Sequence, residues 1–264
     1  MHRACRGFVG IHLPSAVYCI VAAALLLALV PAVAHAQYFG RNKVQYRSFK
    51  FQVLKTEHFD IYYYPEEAEG AAIVARMAER WRWRLTRFFS HDLRGRQALI
   101  LYAAPAHFRQ TNAIEGLVGE GTGGATEALK RRIVLPMAGS LADTDHVLGH
   151  EMVHAFQFDM TGADPRESEF SLPGILQFPL WFAEGMAEYL SIGPVHAQTA
   201  MWLRDAAITE KLPHVKDLDD PKLFPYRWGH ALWAYIGATY GDRAVVSLLR
   251  SAANPRFDMT GFAL

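Results

Sequence analysis

The sequence predicts an α+β protein with two lobes, in which a mixed sheet with one long helix precedes a region of helices only. Strand-like segments lie before residue 140, whereas helical periodicity of apolar residues dominates from residue 144 onward. The chain of 264 residues is 51% hydrophobic and 20% charged, which is the composition of a globular protein. Disordered, collagen-like and coiled-coil chains are therefore excluded.

The first 36 residues have the features of a secretory signal peptide. Arg3 and Arg6 supply positive charge, residues 16–30 form an unbroken apolar run, and Ala-His-Ala at 34–36 matches the small-x-small pattern of a cleavage site. An apolar run of this length is short for a stable transmembrane helix. We therefore predict cleavage after Ala36, export to the periplasm or the extracellular space, and no stable membrane insertion afterwards. An uncleaved N-terminal membrane anchor is the alternative.

Cleavage would remove every cysteine from the chain. Cys5 and Cys19 both lie within the predicted signal peptide, so the mature chain can have neither disulfides nor cysteine metal ligands nor a thiol nucleophile. The full chain has 27 basic and 26 acidic residues, a balance that gives no reason to expect nucleic acid as a partner.

The first part of the mature chain alternates between strands and one helix. We predict strands at Phe49–Leu54 and His58–Tyr64, where β-branched and aromatic residues are dense, and a long helix over Glu66–Phe89. A short buried strand follows at Gln97–Ala103. A glycine-rich loop then leads to a strand at Arg132–Leu135, which Pro136 ends.

The second part of the mature chain contains helical patterns only. We predict five helices, at Thr144–Met160, Pro179–Ile192, Val195–Lys211, Trp228–Tyr240 and Arg243–Ala252. These boundaries place an N-terminal α/β lobe at residues 37–140 and a helical lobe at residues 141–264. A cleft between two such lobes is a common place for a functional site.

The strongest chemical signal is the sequence His150-Glu151-Met152-Val153-His154. On a helix, residues four positions apart lie on one face, so both imidazoles can reach the same ion. Imidazole nitrogens suit zinc, and a carboxylate between the two histidines can act as a base toward water at the metal. The alternative is a helix with two surface histidines.

A second motif lies on the next predicted helix, in the sequence Trp-Phe-Ala-Glu-Gly-Met-Ala-Glu-Tyr at 181–189. Glu184 and Glu188 share one helical face among large apolar residues. Buried glutamates almost always have a charged partner or a metal ion. The two motifs therefore favour a metal site that uses histidine and carboxylate ligands.

Together, HExxH and W-F-x-E-G-x-A-E-Y resemble the motifs of the gluzincin metallopeptidases, the group of thermolysin and aminopeptidase N. They are most similar to those of short secreted relatives with peptidase MA-like domains. The resemblance implies a zincin-like, two-lobed metallopeptidase fold with one Zn²⁺ ion. It implies His150, His154 and Glu184 as zinc ligands and Glu151 as the general base. By the same match, Glu188 would hydrogen-bond a ligating histidine, His150.

The segment Phe-Pro-Tyr-Arg-Trp-Gly at 224–229 resembles the PYxxG segment of aminopeptidase-type gluzincins. This match implies that Tyr226 donates a hydrogen bond to the oxyanion formed during peptide hydrolysis. A packing role at the start of a helix is the alternative for Tyr226.

The segment Gly-Ala-Thr-Glu-Ala at 124–128 matches only the glycine and the glutamate of the aminopeptidase GxMEN motif. The match implies Glu127 as an anchor for the free amino group of a substrate. The strand that follows would then be the edge strand that pairs with an extended peptide, which places Ile133 and Val134 in contact with the substrate.

The sequence thus predicts an exported zinc metallopeptidase with a peptide or protein substrate. A non-catalytic, zinc-stabilised module that binds peptides or cell-envelope components is the alternative. The sequence ends in an apolar stretch, Asn254–Leu264, so we expect a longer chain with a further C-terminal domain such as a β-propeller.

Overall fold

The computed structural model of the chain describes residues 43–114, 118–119, 121–137, 139–162 and 174–252. The predicted signal peptide at residues 1–36 and the C-terminal stretch at 254–264 lie outside the described residues, as do Leu117 and Glu120 of the predicted glycine-rich loop. Within the described part of the chain, no helix combines the length and the apolar character needed to cross a membrane. The described residues belong to one compact unit.

Five strands form one mixed sheet. The strands are β1 (Gln52–Lys55), β2 (Phe59–Tyr63), β3 (Gln97–Tyr102), β4 (Ala125–Glu127) and β5 (Arg132–Pro136). Their order across the sheet is β1-β2-β3-β5-β4. Strands β2, β3 and β5 run parallel, while β1 and β4 pair antiparallel at the two edges. The predicted α+β class with a mixed sheet is therefore confirmed.

The prediction that the strand at Arg132–Leu135 forms the edge is wrong. Strand β5 pairs with β3 on one side and with β4 on the other, with Ile133 opposite both Leu99 and Thr126. Ile133 and Val134 are fully buried, so neither side chain is available to a substrate. The edge strand on this side of the sheet is β4, which has three residues. No strand was predicted for this segment.

Seven α-helices accompany the sheet in the described residues. They are α1 (Ala68–Phe89), α2 (Pro105–Phe108), α3 (Leu141–Thr161), α4 (Leu180–Ile192), α5 (Ala197–Ile208), α6 (Pro225–Tyr240) and α7 (Asp242–Ser251). Helix α3 begins three residues before the predicted start because Ser140 caps it, with its Oγ accepting a hydrogen bond from the Asp143 amide at 3.0 Å. Helix α6 begins at Pro225, where a proline suits the first turn.

Helix α3 lies in the middle of the core. It packs on α1, α4, α7 and strands β4 and β5. Trp81 of α1 fixes its position, since the indole Nε1 donates to the Asp145 carboxylate at 2.9 Å. The ring also lies against Gly149, where a Cβ atom would come within 2.5 Å of it. These contacts set the rotation of α3, and with it the direction in which its histidines point.

Helices α4 and α6 cross at two glycines. A Cβ atom at Gly185 would lie 2.3 Å from the backbone of Gly229, and one at Gly229 would lie 2.2 Å from the carbonyl oxygen of Trp181. Backbone atoms cannot rotate out of the way as side chains can. The absence of side chains at this crossing therefore brings the first turn of α6 next to the glutamates of α4.

We expect Gly229→Ala to lower the free energy of unfolding by about 2 kcal/mol or more, because overpacking against backbone forces the two helices apart. The matched control is Gly70→Ala in α1, where the nearest atom to a new Cβ is the flexible end of the Glu67 side chain at 3.2 Å. That change should be neutral or stabilising by up to about 1 kcal/mol. Urea unfolding of the chelator-treated chain measures both, and equal effects would contradict the tight crossing.

Candidate metal centre

Three side-chain atoms from two helices converge at one point. His150 and His154 stand one turn apart on α3, and Glu184 faces them from α4. The Nε2 atoms of the two histidines are 3.1 Å apart. The Oε2 atom of Glu184 is 3.0 Å from Nε2 of His150 and 3.2 Å from Nε2 of His154. The three atoms form a nearly equilateral triangle.

The size of this triangle fits a zinc ion. Zinc lies about 2.0–2.2 Å from nitrogen and carboxylate ligands, and in a tetrahedral site such ligands are separated by about 3.3 Å. The observed separations of 3.0–3.2 Å are close to that value. Three ligands leave a fourth tetrahedral position for water or substrate. His150, His154 and Glu184 can therefore hold a metal ion.

The outer nitrogen of His154 has a partner that fixes its protonation. Gln157 is fully buried, and its amide nitrogen donates to the carbonyl oxygen of Ala183 at 3.0 Å. Because a carbonyl can only accept, the Gln157 oxygen must face His154, where it lies 2.8 Å from Nδ1. Nδ1 of His154 therefore carries the proton, and its Nε2 presents a lone pair to the centre of the triangle.

The outer nitrogen of His150 is held in the same way. Its Nδ1 lies 3.2 Å from Oε1 of Glu188. An ionised carboxylate can only accept a hydrogen bond, so Nδ1 of His150 must be the donor. With Nδ1 donating, Nε2 of His150 is the atom left to coordinate a metal ion once it has lost its proton. Two imidazole Nε2 atoms and a carboxylate oxygen thus face one another. A cation is the natural partner for such a set, and a nitrogen–oxygen donor set suits zinc better than magnesium or calcium.

Glu188 is the centre of a charged network of its own. Its Oε1 also lies 3.1 Å from Nε2 of His146, and its Oε2 accepts from Arg227 at 2.7 Å. Burial raises the pKa of this carboxyl, but the hydrogen bonds from His146 and His150 outweigh that effect and hold it well below its usual range. Glu188 therefore stays ionised and orients His150. His146, His150 and Glu188 form a second group of potential ligands within the same cluster.

Glu151 lies beside the metal triangle, at the contact between α3 and β4. Its Oε2 accepts a hydrogen bond from the Thr126 hydroxyl at 2.7 Å. At Gly124, a Cβ atom would come within 2.9 Å of Cγ of Glu151, so only glycine leaves this side chain its present position. Strand β4 thus holds the carboxylate of Glu151 by one hydrogen bond and one close backbone approach.

Tyr226 lies beside His150 at the site. Its ring stacks on the imidazole of His150, with centroids 5.8 Å apart and an angle of 22° between the planes. Burial and the nearby carboxylates of Glu184 and Glu151 raise the pKa of the Tyr226 hydroxyl far above its usual value. The hydroxyl therefore remains a hydrogen-bond donor at any physiological pH.

These groups line one cavity of about 300 Å³. Ala125 and Thr126 of β4 and the preceding Gly124 form one wall, and α3 and α4 supply the histidines and carboxylates. The structure does not bring Glu127 to the cavity. Its carboxylate accepts from the amides of Leu129 and Lys130 at 2.9 Å, and lies 3.3 Å from Arg132. Alternation along β4 turns Thr126 toward Glu151 and Glu127 away, so the amine-anchor prediction has no geometric support.

Sequence reasoning missed three side chains that serve this site, namely Thr126, Gln157 and Arg227. Gln157 could have been found, because it follows His154 by three residues on the same helix and therefore lies beside it. Thr126 and Arg227 reach the site only through strand pairing and helix crossing, for which the sequence has no local signal.

No protein-family model matches the chain, and no curated protein matches it either.

We expect Gln157→Leu to weaken zinc binding by about 10- to 100-fold, because Nδ1 of His154 loses the acceptor that fixes its tautomer. Leucine has a similar volume, so the packing of α3 on α4 is kept. Competition with a chromophoric chelator measures the dissociation constants of the variant and of the unmodified chain. Equal affinity in the leucine variant would show that Gln157 has only a packing role.

Zinc binding should also release a proton at neutral pH. Burial lowers the pKa of His150, but hydrogen bonds to Glu184 and Glu188 outweigh it and raise the pKa to about 10. Below that pH a proton competes with the metal for Nε2, so affinity should rise with pH between 6 and 9. Calorimetry in two buffers of different ionisation enthalpy should give at least one proton released per zinc at pH 7. No release would contradict the raised pKa.

Proposed function

We propose that the chain is an exported zinc-dependent metallopeptidase of the gluzincin type. The observation that carries the proposal is the convergence of two imidazole Nε2 atoms and one carboxylate beside a further carboxylate, Glu151, in an open cavity. Zinc bound there supplies Lewis acidity, which polarises a peptide carbonyl and acidifies water. The residues around it match the other roles that peptide hydrolysis needs.

Glu151 is the proposed general base. It lies in the cavity, and Thr126 fixes its orientation while leaving Oε1 free of that hydrogen bond. In the proposed reaction, Glu151 takes a proton from the attacking water and then passes it to the nitrogen of the departing amine, so that the peptide C–N bond breaks and a carboxylate and an amine form. Tyr226 donates a hydrogen bond to the carbonyl oxygen as negative charge develops on it.

A peptide suits the shape of the site. The edge strand β4 borders the cavity at Ala125 and Thr126, and within the described residues β5 is the strand with which it pairs. Its other edge offers backbone donors and acceptors to an extended chain. A substrate that adds a strand there would lie across the metal triangle and Glu151. We therefore propose peptides or protein segments in extended conformation as substrates.

We also propose the zincin-like division into two lobes, with the sheet and α1 in one lobe and α3 to α7 in the other. What supports it is the composition of the cavity, which has β4 on one wall and residues of α3, α4 and α6 on the others. Helix α3 connects the two proposed lobes, since it packs on both the sheet and α4.

The test is digestion of a mixed peptide pool by the zinc-loaded chain, with new termini identified by mass spectrometry. We expect cleavage that a chelator abolishes and added zinc restores. If the chain binds one zinc ion tightly but cleaves no peptide, the peptidase proposal is wrong, and the alternative of a zinc-stabilised binding module takes its place.

A further inference from the structure

The outward face of α1 carries four arginines and one tryptophan in a row. These side chains are separated by three or four residues along the helix and therefore lie on one face, where all of them are exposed: Arg76, Arg80, Trp83, Arg84 and Arg87. The opposite face of α1 is buried in the core. Because that packing holds the helix in place, the five side chains form a fixed surface, which we call the arginine stripe.

Trp83 gives the arginine stripe an apolar component. It is the most exposed of the six tryptophans of the chain, at 64%, although Trp81 two positions earlier is buried. The guanidinium carbon of Arg87 lies 5.0 Å from the centroid of the Trp83 ring, within the range of a cation–π contact. An exposed indole beside guanidinium groups thus offers both apolar area and positive charge to a partner.

Most of the charge of the arginine stripe is not neutralised within the described residues. Arg80 pairs with Asp145 of α3 at 2.5 Å. Arg76, Arg84 and Arg87, by contrast, form no ion pair with a carboxylate of the described part of the chain. Three guanidinium groups on one helix face can therefore bind an anionic partner without first breaking an ion pair among these residues.

The acidic residues near the arginine stripe leave this charge in place. Glu79, at the side of the stripe, is half-buried and paired with His58 at 2.7 Å. Glu69 lies on the same face, but seven residues, or about 10 Å, before Arg76. The whole chain has 27 basic and 26 acidic residues, so the positive charge is a local feature of this helix face.

A lipid surface fits the arginine stripe better than a nucleic acid does. From Arg76 to Arg87 the stripe extends for about 16 Å along one side of a single helix, so its side chains can reach one flat surface together. Tryptophan favours the headgroup region of bilayers, and arginine binds phosphate groups there. Nucleic-acid modules are instead strongly basic as whole domains and stack successive bases on several aromatic rings.

We propose that the arginine stripe attaches the chain to the surface of bilayers that contain anionic phospholipids. The guanidinium groups contact lipid phosphates, and the Trp83 ring lies at the level of the headgroups. Each arginine near an anionic surface strengthens binding by about fivefold, and salt weakens the binding because it screens the charges. This property goes beyond the proposed peptidase function and depends on neither the metal nor Glu151.

The test is sedimentation of the full chain with vesicles of phosphatidylcholine and phosphatidylglycerol, mixed two to one. The unmodified chain is compared with the arginine variant, Arg76→Gln/Arg84→Gln/Arg87→Gln, in which glutamine keeps the helix propensity. The arginine variant should bind about 100-fold more weakly, from a fivefold loss per arginine. On vesicles of phosphatidylcholine alone the two chains should bind equally. Both contain residues 16–30, so lipid binding by that apolar run contributes equally to both.

A matched control removes the same charge elsewhere. Lys55, Lys216 and Arg243 are exposed and lie on separate elements, and replacing all three with glutamine gives the net charge of the arginine variant. We expect this control to bind within about threefold of the unmodified chain. Trp83→Gln keeps every charge and should weaken binding by about 10-fold, whereas Tyr235→Gln, at a residue 60% exposed on α6, should leave binding unchanged.

Two results on the anionic vesicles would overturn the lipid-binding stripe. One is equal binding by the unmodified chain and the arginine variant, and the other is an equal loss in the arginine variant and its matched control. Tighter binding of the unmodified chain to a single-stranded oligonucleotide than to these vesicles would also overturn the proposal, in favour of a nucleic-acid surface. A loss confined to the arginine variant and Trp83→Gln would support it.

Discussion

Glu151→Gln will abolish peptide hydrolysis while leaving zinc in place. Glutamine keeps the shape of the side chain and can still accept the hydrogen bond from Thr126, but it cannot take a proton from water at neutral pH. General bases contribute about 10²- to 10⁴-fold to a rate, so kcat should fall by at least that factor. Single-turnover assays at equal zinc content measure the loss. Zinc affinity should change far less, because Glu151 is not among the three converging ligands.

Glu127→Gln is the matched control for that experiment. Glu127 lies on the same strand as Thr126, but its carboxylate is engaged with the turn amides of Leu129 and Lys130 and does not line the cavity. Glutamine keeps one of the two oxygens that accept from these amides, and the change lies outside the cavity. We expect kcat/KM within about twofold of the unmodified chain. A comparable loss in both variants would show that the assignment of the base to Glu151 is wrong.

Glu184→Gln is the second change with a large effect, and it acts on the metal. The imidazoles of His150 and His154 hold the pKa of the Glu184 carboxyl far below its usual range against the opposing effect of burial. Its negative charge therefore persists at every pH of interest, and it is the only anionic ligand of the triangle. Replacing it with a neutral amide should weaken zinc binding by more than about 100-fold. This loss exceeds the one expected when a ligating histidine loses its hydrogen-bond partner.

A graded comparison makes this prediction specific. Glu188→Gln removes the charge that orients His150 but leaves all three ligand atoms in place, so a loss of about 10- to 100-fold is expected. Circular dichroism of each variant checks that the helices are kept. If Glu188→Gln costs more affinity than Glu184→Gln, the metal lies instead at the neighbouring group of His146, His150 and Glu188.

The centre of the site could be anticipated from the sequence because its geometry is local. Histidines at 150 and 154 face the same way on any helix, and glutamates at 184 and 188 do so on the next. The contact between the two helices is the part of this geometry that depends on the tertiary fold. The burial of both helix faces could also be predicted, because the residues around each motif are strongly apolar.

The wall opposite α3 could not be anticipated in the same way. Strand β4 has three residues, and which strand pairs with which depends on the whole sheet and not on the composition of one segment. The sequence therefore suggested Ile133 and Val134 as edge residues, and the structure buries both between neighbours. Thr126, which holds Glu151, became visible only with that pairing.

Helix ends show a related limit. The predicted start of α6 at Trp228 missed the first turn, although Pro225 is a known signal for a helix start. The shift matters, because the first turn carries Tyr226 and Arg227, which contact His150 and Glu188. Tyr226 and Arg227 reach these residues because α4 and α6 cross closely at Gly185 and Gly229. This contact joins segments more than forty positions apart in the sequence.

The most direct test of the metal centre is X-ray diffraction from crystals of the zinc-loaded chain, recorded on both sides of the zinc absorption edge. We predict one strong anomalous peak, about 2.0–2.2 Å from Nε2 of His150, Nε2 of His154 and the carboxylate of Glu184. Glu151 should lie next to the peak without ligating it. No peak at this position, or a peak ligated by other residues, would contradict the metal centre and the hydrolytic function proposed for it.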